Sequence, residues 1–135
     1  MSLPVAPRAG RLRPLGLDEV RITGGFWGDR QQINASATLD HCLSWVDRVG
    51  WLANFQLAAD NVLPGARRGR EFSDSEVYKL VEAITWESAR SGRPAHTVDD
   101  LVAVIGRAQD HDGYLNTAFG RAGQPARYGD LEWGH

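Results

Sequence analysis

Three carboxylates lie close together in the middle of the chain: Asp74, Glu76 and Glu82. Two carboxyl groups flanking a scissile bond are the machinery of glycoside hydrolysis, one serving as acid and the other as nucleophile or base. Asp74 with Glu76, or Glu76 with Glu82, are the available pairs. Their setting points elsewhere, because they fall in the first turns of a helix, where negative charge suits the dipole and a glutamate can close a capping box. The run Asp110-His111-Asp112-Gly113 has the alternating carboxylates and glycine of a calcium loop. It fails at both ends: Ala108 stands at the first ligand place and Phe119 at the last, where a bidentate glutamate is required. A helix-terminating turn is the better reading. His41, His96, His111 and His135 are scattered, and none forms an established metal pattern with another His, Cys or acid three or four residues away; His41 reads as a core-edge residue and His96 as part of a cap. The single cysteine, Cys42, lies in an apolar helical stretch and reads as a small buried side chain. Nucleophile elbow, phosphate loop and dinucleotide fingerprint are all missing. Trp27, Trp45, Trp51, Trp86 and Trp133 are many for 135 residues, and aromatic faces stack on sugars, but core packing accounts for most of them.

The element that must position the acidic group runs from Phe72 to Ile84 and beyond. Ser73 followed by Glu76 predicts a capping box and a helix starting at Asp74, with Val77, Leu80, Val81 and Ile84 on one face. The helix should last to Ala89 or Arg90 and close at Ser91-Gly92-Arg93-Pro94. Thr97, Asp99 and Asp100 open the next helix, with Val98, Leu101, Val102, Ile105 and Ala108 as its face, so the two form an antiparallel pair. Upstream, residues 1–18 read as a Pro/Arg-rich flexible leader, and Glu19–Thr23 as a short strand or an extended segment pinned by Val20 and Ile22. Phe26 and Trp27 read as a buried plug, and Asp29 with Gln32 as a weak cap for a helix from Arg30 to Val49. That helix has an apolar stripe of Ile33, Ala37, Cys42, Val46 and Val49, widened by Leu39, Leu43 and Trp45. Trp51–Ala59 is a second short helix, Asn61–Glu71 an exposed loop, Ala118–Arg127 a Gly-rich mobile tail, and Tyr128–His135 the start of one more helix.

Composition narrows the partners. With 15 Lys plus Arg against 17 Asp plus Glu, nothing calls for nucleic acid or an anionic membrane. The sequence has neither a membrane-spanning run nor the apolar centre of a signal peptide, so a cytoplasmic setting is expected, in line with one unpaired cysteine. Helical hairpins in succession, with stripes wider than two or three hairpins can cover, imply the leading part of a larger helical protein. Self-association of the chain by itself is expected for the same reason.

Several segments together carry a resemblance. Val20, Phe26-Trp27 and Arg30 are followed by Asn54-Phe55 and Ala58-Ala59. Next come Phe72-x-Asp74-Ser75-Glu76-Val77-Tyr78-Lys79 and Glu82-Ala83. Ile105, Ala108-Gln109-x-x-Asp112-Gly113-Tyr114-Leu115-Asn116-Thr117, Leu131 and His135 complete the series. In this order they resemble the N-terminal portion of glycoside hydrolase family 127, the beta-L-arabinofuranosidase-like enzymes, over about residues 20 to 135. The resemblance implies an all-α fold, a partial (α/α)6 barrel made of the first helical hairpins after a short N-terminal extended segment. It implies retaining removal of terminal arabinofuranose from a carbohydrate substrate. It also implies a zinc-bound cysteine nucleophile and a glutamate acid/base, all lying downstream of the matched region; Cys42 matches none of them. This chain should therefore hold no catalytic residue and no cofactor, and should not turn over substrate alone. Only pocket residues carry across: His135, on the histidine of a His-Glu-Leu-Tyr-like stretch, and Phe72 and Asp74 at the start of a barrel helix facing the pocket. Glu76 in place of an aspartate and Leu80 in place of a tryptophan depart from the pattern and leave the sugar open. A freestanding helical interaction module, or another (α/α)6 sugar enzyme such as an unsaturated glucuronyl hydrolase or an epimerase, are the alternatives. Oligomeric state is left undetermined by the sequence.

Overall fold

The computed structural model of the chain describes residues 9–17, 19–130 and 132. It is all-helical, with helices α1 (Gly25–Ile33), α2 (Leu39–Arg48), α3 (Trp51–Ala59), α4 (Ser73–Ser91) and α5 (His96–Ala108). Among the described residues there is no strand; Glu19 closes a turn on the Gly16 carbonyl at 3.0 Å, residues 20–23 have no regular structure, and Val20 and Ile22 are 54% and 48% exposed.

A π-helical segment, Asn34–Thr38, joins α1 to α2. Within it the Ser36 hydroxyl donates to the Gln32 carbonyl at 2.8 Å, a side-chain bond of the kind that competes with the regular backbone ladder. The rod predicted from Arg30 to Val49 is helical throughout to Arg48, with the π-helical turn inside it, and it begins earlier, at Gly25, without a cap from Asp29. A stripe extrapolated at α-helical period loses register across the wider turn. Val46 is the one residue of it that reaches full burial, while Ile33 and Trp45 are 45% and 47% exposed.

The core is built by the other helices. α5 packs chiefly on α3, α2 lies on α4 and α3, and α4 touches all three. Phe55, Ala58, Leu63, Val77 and Ala108 form the buried cluster, flanked by Trp51, Leu52, Leu57, Val104, Ile105 and Leu115. Full burial of side chains such as Phe55 and Val77 contributes about 1.5–3 kcal/mol each. The α4 face is as predicted for Val77 and Leu80, with Val81 and Ile84 half-buried. Gly92 ends α4 in the left-handed conformation at φ +69°, the geometry expected of a glycine stop. On α5, Val98 and Ala108 are buried but Val102 is 51% exposed and belongs to the outer side.

Three expectations about burial fail together. Phe26 and Trp27 are 65% and 69% exposed on α1, which makes no extensive contact with α2 to α5, so nothing covers the supposed plug. Trp45 and Trp86 are also exposed, leaving Trp51 as the described tryptophan packed on the core. His41 stands exposed beside Trp45, and α5 begins at His96 without a side-chain cap. No described helix is long and apolar enough to cross a membrane.

Candidate functional site

Helix α4 does not start with a capping box. Ser73 is the first helical residue, Phe72 takes the cap place, and Glu76 pairs outward with Lys79 at 2.6 Å. The hydroxyl of Ser73 instead accepts from Nη2 of Arg67 at 3.0 Å. Ser75 supplies local closure, its hydroxyl donating to the Phe72 carbonyl at 2.8 Å. A long-range partner has displaced the local one, because loop 60–72 folds over the helix end and brings a guanidinium there.

Asp74 turns inward. It is 6% exposed, and its carboxylate accepts the Thr117 N–H on Oδ2 at 2.7 Å and the Thr117 hydroxyl on Oδ1 at 2.6 Å. Nη2 of Arg67 lies 3.7 Å from Oδ1. Burial is the largest influence on this carboxyl and raises its pKa; the Thr117 hydrogen bonds, then Arg67 and Arg121, oppose it. Burial lowers the Arg67 pKa, with Asp74 and Glu71 acting the other way. Nε of Arg67 donates to the Thr117 hydroxyl at 3.0 Å, Nη1 to the Gly69 carbonyl at 2.9 Å and Nη2 to the Arg70 carbonyl at 3.0 Å. The segment read as an exposed loop is one, with Leu63 and Arg67 turned inward to bind it to the structure. Asn54, fully buried on α3, brackets it as well, with Nδ2 donating to the Arg68 carbonyl at 2.8 Å and Oδ1 accepting the Arg68 N–H at 2.9 Å. Gly69 is required here: at φ +84° an added Cβ would lie 2.4 Å from Nε1 of Trp51.

The segment after α5 is equally tied. Gln109 Nε2 donates to the Gly113 carbonyl at 2.8 Å, and the Asp110 N–H donates to the Tyr114 carbonyl at 2.9 Å, closing the turn. Asp110 and Asp112 are both bound by the Arg127 guanidinium, which also lies 4.3 Å from the centre of the Tyr114 ring. Arg127 is the main reason that the Asp112 pKa is lowered. These carboxylates therefore serve as arginine anchors, which agrees with reading the motif as a turn. Residues 118–127, read as a mobile tail, are held by that pair, by Gln124 Nε2 donating to the Thr117 carbonyl at 2.7 Å, and by Phe119, 5% exposed.

The carboxylate pairs weighed for hydrolysis do not converge. At about 100° per residue, Asp74 and Glu76 point about 160° apart on α4, and Glu76 and Glu82 about 120° apart. Glu82 accepts from Trp86 Nε1 at 3.2 Å on the outer face. Of the expected pocket residues, Phe72 and Asp74 share the start of α4, with Phe72 39% exposed and Asp74 buried; His135 lies outside the described residues, and of the further helix expected over 128–135 the described residues 128–130 and 132 are in turns and bends. The residues that sequence reasoning missed are Arg67 and Asn54. Arg67 sits among Arg68 and Arg70 in a loop-like composition, and no local pattern separates the arginine that turns in from those that turn out.

The two segments that carry the chemistry-like motifs therefore meet: Phe72-x-Asp74-Ser75 and Gln109-x-x-Asp112-Gly113 through Thr117 are joined by the Asp74 to Thr117 bonds. No curated protein matches the sequence. Among solved structures, a GH127 beta-arabinofuranosidase, BT3674, is similar, with a TM-score of 0.65 and 28% identity over 78% of this chain. The chain spans 17% of that protein's length. The family model described as beta-L-arabinofuranosidase, GH127 catalytic domain, matches residues 19–135, a range that includes both joined motifs. On that match, this chain is a member of the GH127 beta-L-arabinofuranosidase catalytic-domain family, and its helices are a portion of that helical domain.

Proposed function

We propose that residues 19–135 form one wall of a sugar pocket in a catalytic domain that hydrolyses terminal beta-L-arabinofuranosides with retention. The observation that carries the reading is the junction of the two family-matched motifs at Asp74 and Thr117, which sets the start of α4 beside the loop after α5. In this reading Phe72 offers its exposed ring to the sugar's C–H face, and His135 contributes from the far end of the matched region. Asp74, with both oxygens engaged by Thr117, holds the wall in place beneath them. A cytoplasmic setting and a carbohydrate substrate, with no nucleic-acid or membrane partner, belong to the same reading, supported by the balanced charge and the lone cysteine.

The zinc-bound cysteine thiolate that the resemblance implies does not fit this chain's own residues. Cys42 stands alone on α2, and no described group of three or more His, Cys, Asp or Glu is placed to hold a metal. The chain's part is to bind and orient, and the covalent step is assigned to none of its residues.

The test is hydrolysis of an aryl beta-L-arabinofuranoside by the intact protein that carries this chain, with the anomer of the first product followed by NMR. Release of the beta anomer is expected. Absence of hydrolysis together with activity on an unsaturated glucuronide would replace the reading with that of another (α/α)6 enzyme.

A further inference from the structure

The guanidinium of Arg67 binds the backbone just before Phe72 and the Ser73 hydroxyl just after it. Its side chain is 11% exposed, and four of its N–H directions are used, on the Gly69 carbonyl, the Arg70 carbonyl, the Ser73 hydroxyl and the Thr117 hydroxyl. The Arg70 carbonyl it binds also accepts the Ser73 N–H at 3.0 Å, so the turn through residues 70–73 is closed by backbone and side chain together. On the helix side, the Phe72 carbonyl accepts both the N–H of Ser75 at 3.1 Å and its hydroxyl. Phe72, a residue 39% exposed, is thereby held at both its flanks by polar contacts. An arginine bound to two carbonyls and two hydroxyls makes no contact suited to a substrate. Its planar fork is suited to fixing an angle between two backbone segments.

We infer that Arg67 is a positioning residue for sugar binding: it sets the direction in which Phe72 leaves the start of α4, and so the fit of the aromatic face to the substrate. The inference rests on the reading of Phe72 as part of the sugar pocket. Lysine at this place keeps the charge but cannot reach four acceptors with one ammonium, so the 70–73 turn gains freedom and the ring loses its fixed angle. Misplacement of a binding group weakens ground-state binding without touching the bond-breaking groups, and shows in KM before kcat.

The experiment is a double-mutant cycle on the intact protein with an aryl beta-L-arabinofuranoside: wild type, Arg67→Lys, Phe72→Ala and the double variant. Arg67→Lys should raise KM roughly tenfold with kcat within about twofold, and should have no further effect on KM once Phe72 is alanine. An effect of Arg67→Lys that persists in the Phe72→Ala background, or no effect in the wild type, overturns the inference while leaving the pocket reading standing. A Phe72→Ala variant with unchanged KM overturns both, because the pocket reading itself then fails. If Arg67→Lys does not fold, Ser73→Ala, which removes one acceptor of the guanidinium and leaves its charge, replaces it in the same cycle with the same criteria.

Discussion

Replacing Thr117 by valine keeps the shape of a fully buried side chain and deletes one oxygen. That oxygen donates to Asp74 Oδ1 at 2.6 Å and accepts from Arg67 Nε at 3.0 Å, so a single substitution weakens two charged groups at once. A hydrogen bond to a charged partner contributes about 1.5–3 kcal/mol. The two bonds share an atom and will not add in full, and Asp74 keeps the Thr117 N–H, so the expected loss is about 3 kcal/mol. For a domain whose whole stability is of the order of 5–15 kcal/mol this is a large share, roughly a 10 °C fall in Tm at this chain length. A valine at an ordinary surface threonine would change stability by less than about 0.5 kcal/mol. Urea unfolding of wild type, Thr117→Val and Thr117→Ser should show the midpoint falling for valine, with an unchanged slope, and most of the loss recovered by serine. Amide exchange should report the same event locally, since the Thr117 N–H points at Asp74. A valine variant within about 0.5 kcal/mol of wild type, with the Thr117 amide still protected, would refute the claim that this network joins the two motifs.

Other outcomes follow from the same geometry. Asn54→Leu should cost about 2 kcal/mol in urea unfolding, because the N–H and carbonyl of Arg68 both lose the partner that the fully buried Asn54 side chain supplies. The Asp74 carboxyl has its pKa raised by burial, so the folded chain binds that proton more tightly than the unfolded chain does. Acidification from above the raised value towards the ordinary carboxylate value therefore adds stability through this group. The stability difference between wild type and Asp74→Asn, measured by unfolding at neutral and mildly acid pH, should move in favour of wild type as pH falls. Asp112 acts in the opposite sense, its lowered pKa giving stability that is lost on acidification, and it cancels in that comparison. Phe26→Ser with Trp27→Ser should reduce self-association of the 135-residue chain in light scattering and leave its unfolding midpoint unchanged, since both rings are largely in solvent.

The helices were legible residue by residue. Trp51–Ala59 and α4 with its stop at Gly92 needed only apolar spacing and a glycine, because a helix closes its backbone hydrogen bonds within about five residues and its signals are local. The family motifs were legible for the same reason. What lay beyond the sequence is everything that depends on which distant segment arrives. Ser73 was read as a cap from its neighbour Glu76, but Arg67 took the hydroxyl. Asp74 was read through the helix dipole, but its oxygens went to Thr117, 43 residues away. Phe26 and Trp27 were read as buried from their type alone, yet burial is a property of the covering surface, and α1 has none over it in the described structure. Spacing along the chain determined the elements and the kinship; loop closure in three dimensions decided which carboxylate, guanidinium and hydroxyl share one buried volume, since a polar group out of water must take whichever partner the fold delivers.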